Sequence, residues 1–371
     1  MAGDNDMGGS NGAGPREVAV VGFAHAAYVP ETPGTTNGVE MLAPVFARCF
    51  EQTGLDRTGI DFWCSGSSDY LAGRAFSFIS ALDSIGAHPP VQESHVEGDA
   101  AWALFEAWLT IGAGHADTAL VYGFGKASAS GDLDASMAMS LDPYTQSPLW
   151  PGRHHLAALQ ARAGIDSGRF SREDMDAVVE RVHGRGAADA GEGAGAGQGY
   201  GSDEDVAPPL GQWDVPPVTD GACAVILAAG DRARELCARP AWIAGMGQAI
   251  DSAEIGGRDL ATSLSVRRAA ELAAAAGAGD TAAVDVAELH TPYSHQELIV
   301  RSELGLGDGV EITPSGGAMF GDPLFSAGLE RIGYAARAIH EGRADRALGH
   351  ATGGHLLQQN LVAVLEGRDE R

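Results

Sequence analysis

The sequence predicts an α/β protein with a largely parallel sheet covered by helices on both faces. Three observations carry that prediction. Apolar runs that read as buried strands alternate with longer runs that read as helices, as in a parallel sheet with crossover helices. The pattern occurs twice: G-x-A-D-x-A-L starts at Gly114 and again at Gly342, each time after an apolar helix and before a strand. The 371 residues are 44% apolar, enough to bury one large core or two of ordinary size.

The elements follow in order. REVAVVGFA (16–24) reads as a strand, GVEMLAPVFARCFEQTG (38–54) as a helix closing on glycine, IDFWCSG (60–66) as a strand and AFSFISALDSIG (75–86) as a helix. ESHVEGDAAWALFEAW (93–108) is an acidic loop entering an apolar helix, followed by the strand DTALVYGFG (117–125). DGACAVILAAG (220–230), WIAGMGQAI (242–250), helix VRRAAELAAAAG (266–277), VDVAELHTPYS (284–294) and helix HQELIVRSELG (295–305) come next. Helix LFSAGLERIGYAARAIHEG (324–342) and strands RALGHA (346–351) and QQNLVAVLE (358–366) complete the chain.

A second matched pair supports a duplication: IDFWCSG and VDVAELH each follow a helix, with Asp61 and Asp285 leading the strand, at the same offset of about 225 residues. The expected organisation is a disordered tail over 1–16, a first half over 17–230 and a second over 240–368. A Gly-rich flexible excursion over 184–206 interrupts the first half.

Composition excludes several functions. The formal charge is −26, with 24 basic and 50 acidic residues, so the long-range field repels nucleic acid and anionic membranes. Lys126 is the only lysine, leaving arginine to supply the remaining fixed positive charge. Cys49, Cys64, Cys223 and Cys237 form no CxxC pair and have no zinc-ligand spacing; they read as free thiols in a reducing compartment. No run approaches the roughly 18 apolar residues of a membrane span, and the start lacks a basic and apolar leader, so a cytoplasmic protein is expected.

Candidate chemistry concentrates in three loops of the second half: AELHTPYSHQEL around His290, TPSGGAMFGDPLFSAGLERI around Asp322 and ALGHATGGHLLQQN around His350. His290 and His350 fall at strand C-terminal ends, where open α/β sheets place ligands. Gly316, Gly317 and Gly321 allow close backbone approach, and the helix near Leu324 directs free N–H groups at an anion. In the first half, the loop entering the apolar helix presents Glu97 and Asp99 but no Ser, Cys or Thr at the helix start.

These segments resemble the thiolase superfamily, in particular sterol-carrier (SCP-x type) thiolases and the thiolase-like nonspecific lipid-transfer proteins. The likeness runs from about Val18 to Glu366. AELHTPYSHQEL resembles the family's HDCF block, TPSGGAMFGDPLFSAGL its NPSGG…GHPLGATGL block, and LGHATGG, less closely, its terminal QHNxGxGG. VTDGACAVILA and LVYGFGKAS match its SDGAAAAILA and LALGFEKMS segments. The resemblance implies a duplicated thiolase fold, five-layer αβαβα, usually a homodimer paired through the sheet beside the nucleophile loop.

An ungapped alignment puts Glu97 where the family's acyl-accepting cysteine stands, and Asp322 where its activating histidine stands. His290, which by resemblance binds the thioester carbonyl, and His350, which acts on the substrate's α-carbon, are retained. Asp322 and Glu97 join them as candidate catalytic groups. Gly316, Gly317, Tyr293 and Trp150 are candidate substrate-binding residues, with Trp150 and Leu156 lining an acyl tunnel and Tyr293 shaping the pocket or simply starting a helix. His295 reads as a surface residue. No metal and no cofactor are expected beyond coenzyme A thioester as substrate or ligand, whose phosphates Arg153, Arg267 and Arg268 could meet.

A carboxylate cannot replace the thiol, because its acyl form is a mixed anhydride. Two readings stand level: a C–C lyase cleaving a β-hydroxyacyl-CoA by a retro-aldol step, or a non-catalytic acyl-CoA or lipid carrier. A true acyltransferase ranks below both. The resemblance also implies a small OB-fold acyl-CoA-binding partner for the lyase reading.

Overall fold

A computed structural model describes residues 14–32, 38–70, 76–86, 91–185 and 206–368. Most of the expected tail and most of the excursion over 184–206 lie outside the described residues. The first part of the chain forms β1 (Val18–His25), α1 (Gly38–Thr53), β2 (Phe62–Ser67), α2 (Ser77–Ile85), β3 (Gln92–Glu97), α3 (Ala100–Gly112) and β4 (Thr118–Gly125). Three helices, α4 (Leu133–Ala138), α5 (Arg153–Asp166) and α6 (Arg172–Arg185), precede β5 (Gly221–Ala229) and α7 (Gly230–Leu236). The remainder forms β6 (Ala241–Ile250), α8 (Leu264–Ala273), β7 (Val286–Leu289), α9 (Ser294–Leu304), β8 (Glu311–Ile312), α10 (Ala327–His340), β9 (Arg346–Gly353) and β10 (Gln359–Gly367).

The strands hydrogen-bond in the order β3-β2-β4-β5-β1-β6-β10-β9-β7-β8. Read outward from the centre, 1-5-4-2-3 is repeated as 6-10-9-7-8. The two sets meet through a short antiparallel pairing, Ala19 with Trp242 and Val20 with Ala241. The expectation of a largely parallel sheet is corrected. Pairings β2–β3, β2–β4, β7–β8 and β7–β9 are parallel. Those of β1–β5, β1–β6, β4–β5, β6–β10 and β9–β10 are antiparallel. Between β9 and β10 a short loop needs no crossover helix and so returns the chain antiparallel, whereas β4 and β5 pair antiparallel across the α4–α6 excursion.

Period-two alternation sorts the strand residues into layers. In β10, Leu361, Ala363 and Leu365 face a central core, whereas Val362 and Val364 face an outer one. The central core holds α3 and α10; the outer cores hold α1 and α2 on one side, and α8 and α9 on the other. The layers therefore run α-β-α-β-α. The central helices sit so close to the sheet that a Cβ on Gly66 would come within 2.5 Å of the Ala100 backbone.

The two aspartates that marked the repeat do the same job twice. Asp61 accepts the N–H groups of Asp117 and Thr118 at 2.9 and 3.1 Å. Asp285 accepts those of Asp345 and Arg346 at 2.9 and 3.0 Å. Each carboxylate thus ties the start of one strand to the start of its parallel neighbour. Among the described residues no helix is long and apolar enough to cross a membrane.

Candidate active site

Where β3 ends at Glu97, Gly98 takes a φ of +140°, open to glycine, and turns the chain into α3. Asp99 is the helix N-cap, and its Oδ1 accepts the Ala101 N–H at 2.8 Å. The same carboxylate accepts N–H groups from the start of α10, Gly328 at 2.7 Å and Leu329 at 3.1 Å. One side chain therefore caps both central helices. Glu97, by contrast, is 60% exposed, with its carboxylate 3.9 Å from His95.

A cavity of ≈250 Å³ opens in front of Asp99. Its apolar wall includes Val96, Trp102, Leu156, Phe325 and Leu357; its polar wall includes Glu97, Asp99, His290, Tyr293, Asp322 and Thr352. His290 follows directly on β7 and is buried; its backbone N–H donates to the His350 carbonyl at 3.1 Å. The Thr352 N–H points at His290 Nδ1, 3.4 Å away, which leaves the ring proton on Nε2. Nε2 lies 3.8 Å from Asp322 Oδ1, beyond hydrogen-bond length. That carboxylate is fixed by accepting the Leu324 N–H at 3.0 Å.

Burial sets the protonation of the surrounding groups. It pushes Asp99 up to about 6, against the opposing pull of His290 and of the three amide donors. Tyr293 is pushed up as well, so it stays neutral and can donate; its hydroxyl meets His154 Nδ1 at 3.2 Å. Burial and Arg153 together bring His154 down to about 4.

The structure thus gathers Glu97, His290, Tyr293 and Asp322 around one cavity. The other sequence candidates stand elsewhere. His350 is fully buried behind His290, bonded through Nε2 to Asn360 Oδ1 at 2.9 Å, and burial takes it down to about 3. Trp150 is 64% exposed and outside the cavity wall, although Leu156 is part of it. Gly316 and Gly317, with φ of +88° and +65°, shape a turn behind the site. In that turn the Ser315 N–H donates to Glu288 at 3.1 Å, and the Thr313 hydroxyl accepts the Leu289 N–H at 3.2 Å, bracing the strand end that presents His290. His295 is not a surface residue: it is fully buried against Gln160 of α5, because the first turn of α9 packs inward.

Beneath the turn, Arg331 of α10 is buried between Glu288 at 3.4 Å and Glu330 at 3.3 Å, and it also meets Tyr28 and Ser315. Burial pushes Glu330 up to about 7. The three arginines considered for phosphate binding are all paired: Arg153 with Asp134, Arg267 with Glu303 and Arg268 with Glu271. No cysteine lines the cavity, and the lone lysine, Lys126, does not line it either. Among the described residues no group of three or more His, Cys, Asp or Glu side chains is placed to hold a metal. Sequence reasoning passed over Asp99 as a site residue; the signal was Gly-Asp directly before an apolar helix, an N-cap pattern.

The chain has the thiolase fold. It resembles human mitochondrial 3-ketoacyl-CoA thiolase with a TM-score of 0.69 at 16% identity, over 95% of this chain and 99% of that one. An Ltp2-ChsH2(DUF35) aldolase matches with a TM-score of 0.75 at 16% identity, over 95% of this chain and 98% of that one. No family model matches the sequence, and no curated protein matches it.

Proposed function

We propose that the protein is a C–C lyase that cleaves a β-hydroxyacyl thioester by a retro-aldol step. One observation carries the reading: His290 and Asp322 face each other across 3.8 Å in an apolar cavity lined by no cysteine. Thiolysis through a thioester-linked enzyme needs a cysteine thiol, and no cysteine lines the cavity. An enamine route needs an amine, and Lys126 is not there. Retro-aldol cleavage needs only a base for the β-hydroxyl and a donor for the thioester enolate. His290 Nε2–H is that donor, its tautomer set by Thr352. A cavity carboxylate is the base, and the apolar wall takes the acyl chain.

The three arginines weighed as phosphate contacts are each already paired with a carboxylate. That supports a partner subunit carrying the nucleotide, in keeping with the ChsH2(DUF35) named in the similar aldolase. The reading includes a homodimer through β3, which pairs with β2 on one side only, and residence in the cytoplasm. The same arginine pairing favours the second reading, a carrier that binds an acyl or lipid chain without turnover.

The test is incubation of purified protein, alone and with a DUF35 partner, with β-hydroxyacyl-CoA, following release of the carbonyl product. Cleavage that falls at least 100-fold in His290→Ala supports the lyase. Calorimetric binding without cleavage under all conditions selects the carrier.

A further inference from the structure

Three carboxylates line the cavity, Glu97, Asp99 and Asp322, and the structure separates their roles. Glu97 stands at the rim in solvent. Asp322 Oδ1 is taken by the Leu324 N–H and stands 3.8 Å from His290 Nε2, an electrostatic neighbour of the imidazole rather than a hydrogen-bond partner. Asp99 is buried and held from two helices. Its two oxygens offer about four acceptor sites. Oδ1 takes the N–H groups of Ala101 and Leu329, and Oδ2 that of Gly328. Those three bonds leave one acceptor site on Oδ2 unfilled, on a residue that lines the cavity.

Resting on the retro-aldol reading, we propose that Asp99 is the catalytic base that takes the substrate's β-hydroxyl proton and returns it to the α-carbon. The hydroxyl oxygen's electron pair forms the new C=O bond as the Cα–Cβ bond breaks. The electrons of that bond pass to the thioester oxygen, which His290 Nε2–H stabilises as the enolate. The enolate then collapses and Cα takes the proton from Asp99. The products are a ketone or aldehyde and a shortened acyl thioester, with no oxidant, reductant or added proton. A fixed carboxylate at the meeting point of two helices moves little between the two transfers.

Burial supports this role by raising Asp99 to about 6, which makes it a stronger base than a solvated carboxylate and still largely ionised at neutral pH. The charged and titratable groups facing it are His290 after β7, Glu330 on α10 and Cys223 on β5. Asp322 stands beyond His290.

The experiment compares wild type with Asp99→Asn, each alone and with a DUF35 partner, on a β-hydroxyacyl-CoA and on the matching pantetheine thioester, which lacks the nucleotide phosphates. The expected wild-type rate climbs with pH through a midpoint near 6 and levels off. In Asp99→Asn, kcat falls about 10²- to 10⁴-fold, KM changes little, and the acid limb disappears. A second measurement needs no variant: dicyclohexylcarbodiimide attacks protonated carboxyls in apolar sites, so peptide mass spectrometry finds Asp99 labelled strongly at pH 5 and weakly at pH 8. Unchanged kcat and pH limb in Asp99→Asn, or no label on Asp99 at pH 5, overturns the assignment while wild-type cleavage leaves the lyase standing. If wild type cleaves neither thioester, alone or with a DUF35 partner, the lyase reading fails and the base role fails with it.

Discussion

Arg331→Met tests the buried charges that brace the site. In the wild type one guanidinium serves two carboxylates, Glu288 and Glu330, all three inaccessible to solvent. Methionine keeps much of the volume and leaves both carboxylates buried without a cation. Breaking a buried pair in this way costs about 3–5 kcal/mol, a large share of the roughly 5–15 kcal/mol that holds a protein folded. The loss depends on pH. Glu330 already has a raised folded value of about 7, so the fold binds protons that the unfolded chain releases, and its stability declines as pH rises through that value. Without Arg331 both carboxyls shift further up, and the deficit grows with pH. Urea unfolding followed by circular dichroism is expected to show the full loss at pH 8 and less than about half of it at pH 5.5. A loss below about 1 kcal/mol, or an equal loss at both pH values, would refute the argument.

Three further outcomes are expected. His295 and His350 are fully buried with folded values near 3, well below their usual value, so the stability they carry is present above about pH 6.5 and drains away as pH falls towards 3. By pH 5 each contributes a loss of about 2 kcal/mol, and His295→Gln flattens that slope in denaturant titrations at pH 7.5 and 5. In Gly328→Ala the new Cβ lies 2.7 Å from Asp99 Oδ1 and 2.5 Å from Ala351 Cβ, so the variant loses about 1–3 kcal/mol in thermal unfolding and its carbodiimide labelling of Asp99 changes. Burial raises all four thiols, Cys49 to about 12, but only Cys237 is half-exposed, so iodoacetamide at pH 8 labels chiefly Cys237 and leaves cleavage or ligand binding intact. Inactivation in step with modification of a single thiol would contradict that.

Much of this architecture could be read from the sequence because the features involved are local. Asp61 and Asp285 each precede an apolar strand at matching offsets, and both bond across to the next parallel strand. Strand direction could not be read, since alternating apolar runs look alike whether a chain returns through a helix or a short loop. Within the site, His290 and Asp322 lie on loops at strand tips, where position along the chain is enough to find them. His350 lies inside β9, where one residue of register decides the facing layer: Ala347 and Ala351 turn to the central core, Leu348 to the outer one, and His350 follows Leu348. Asp99 is set two residues past Glu97, and an ungapped alignment cannot tell the end of a strand from the cap of the following helix.

The single lysine has a consequence outside catalysis. Lys126 follows β4 and is 6% exposed, so the surface carries no lysine amine available to acetylating or ubiquitin-conjugating enzymes, or to amine-directed crosslinkers. Control of its abundance or assembly through lysine acylation has no exposed handle here, and crosslinkers directed at its many carboxylates suit it better than those directed at lysine.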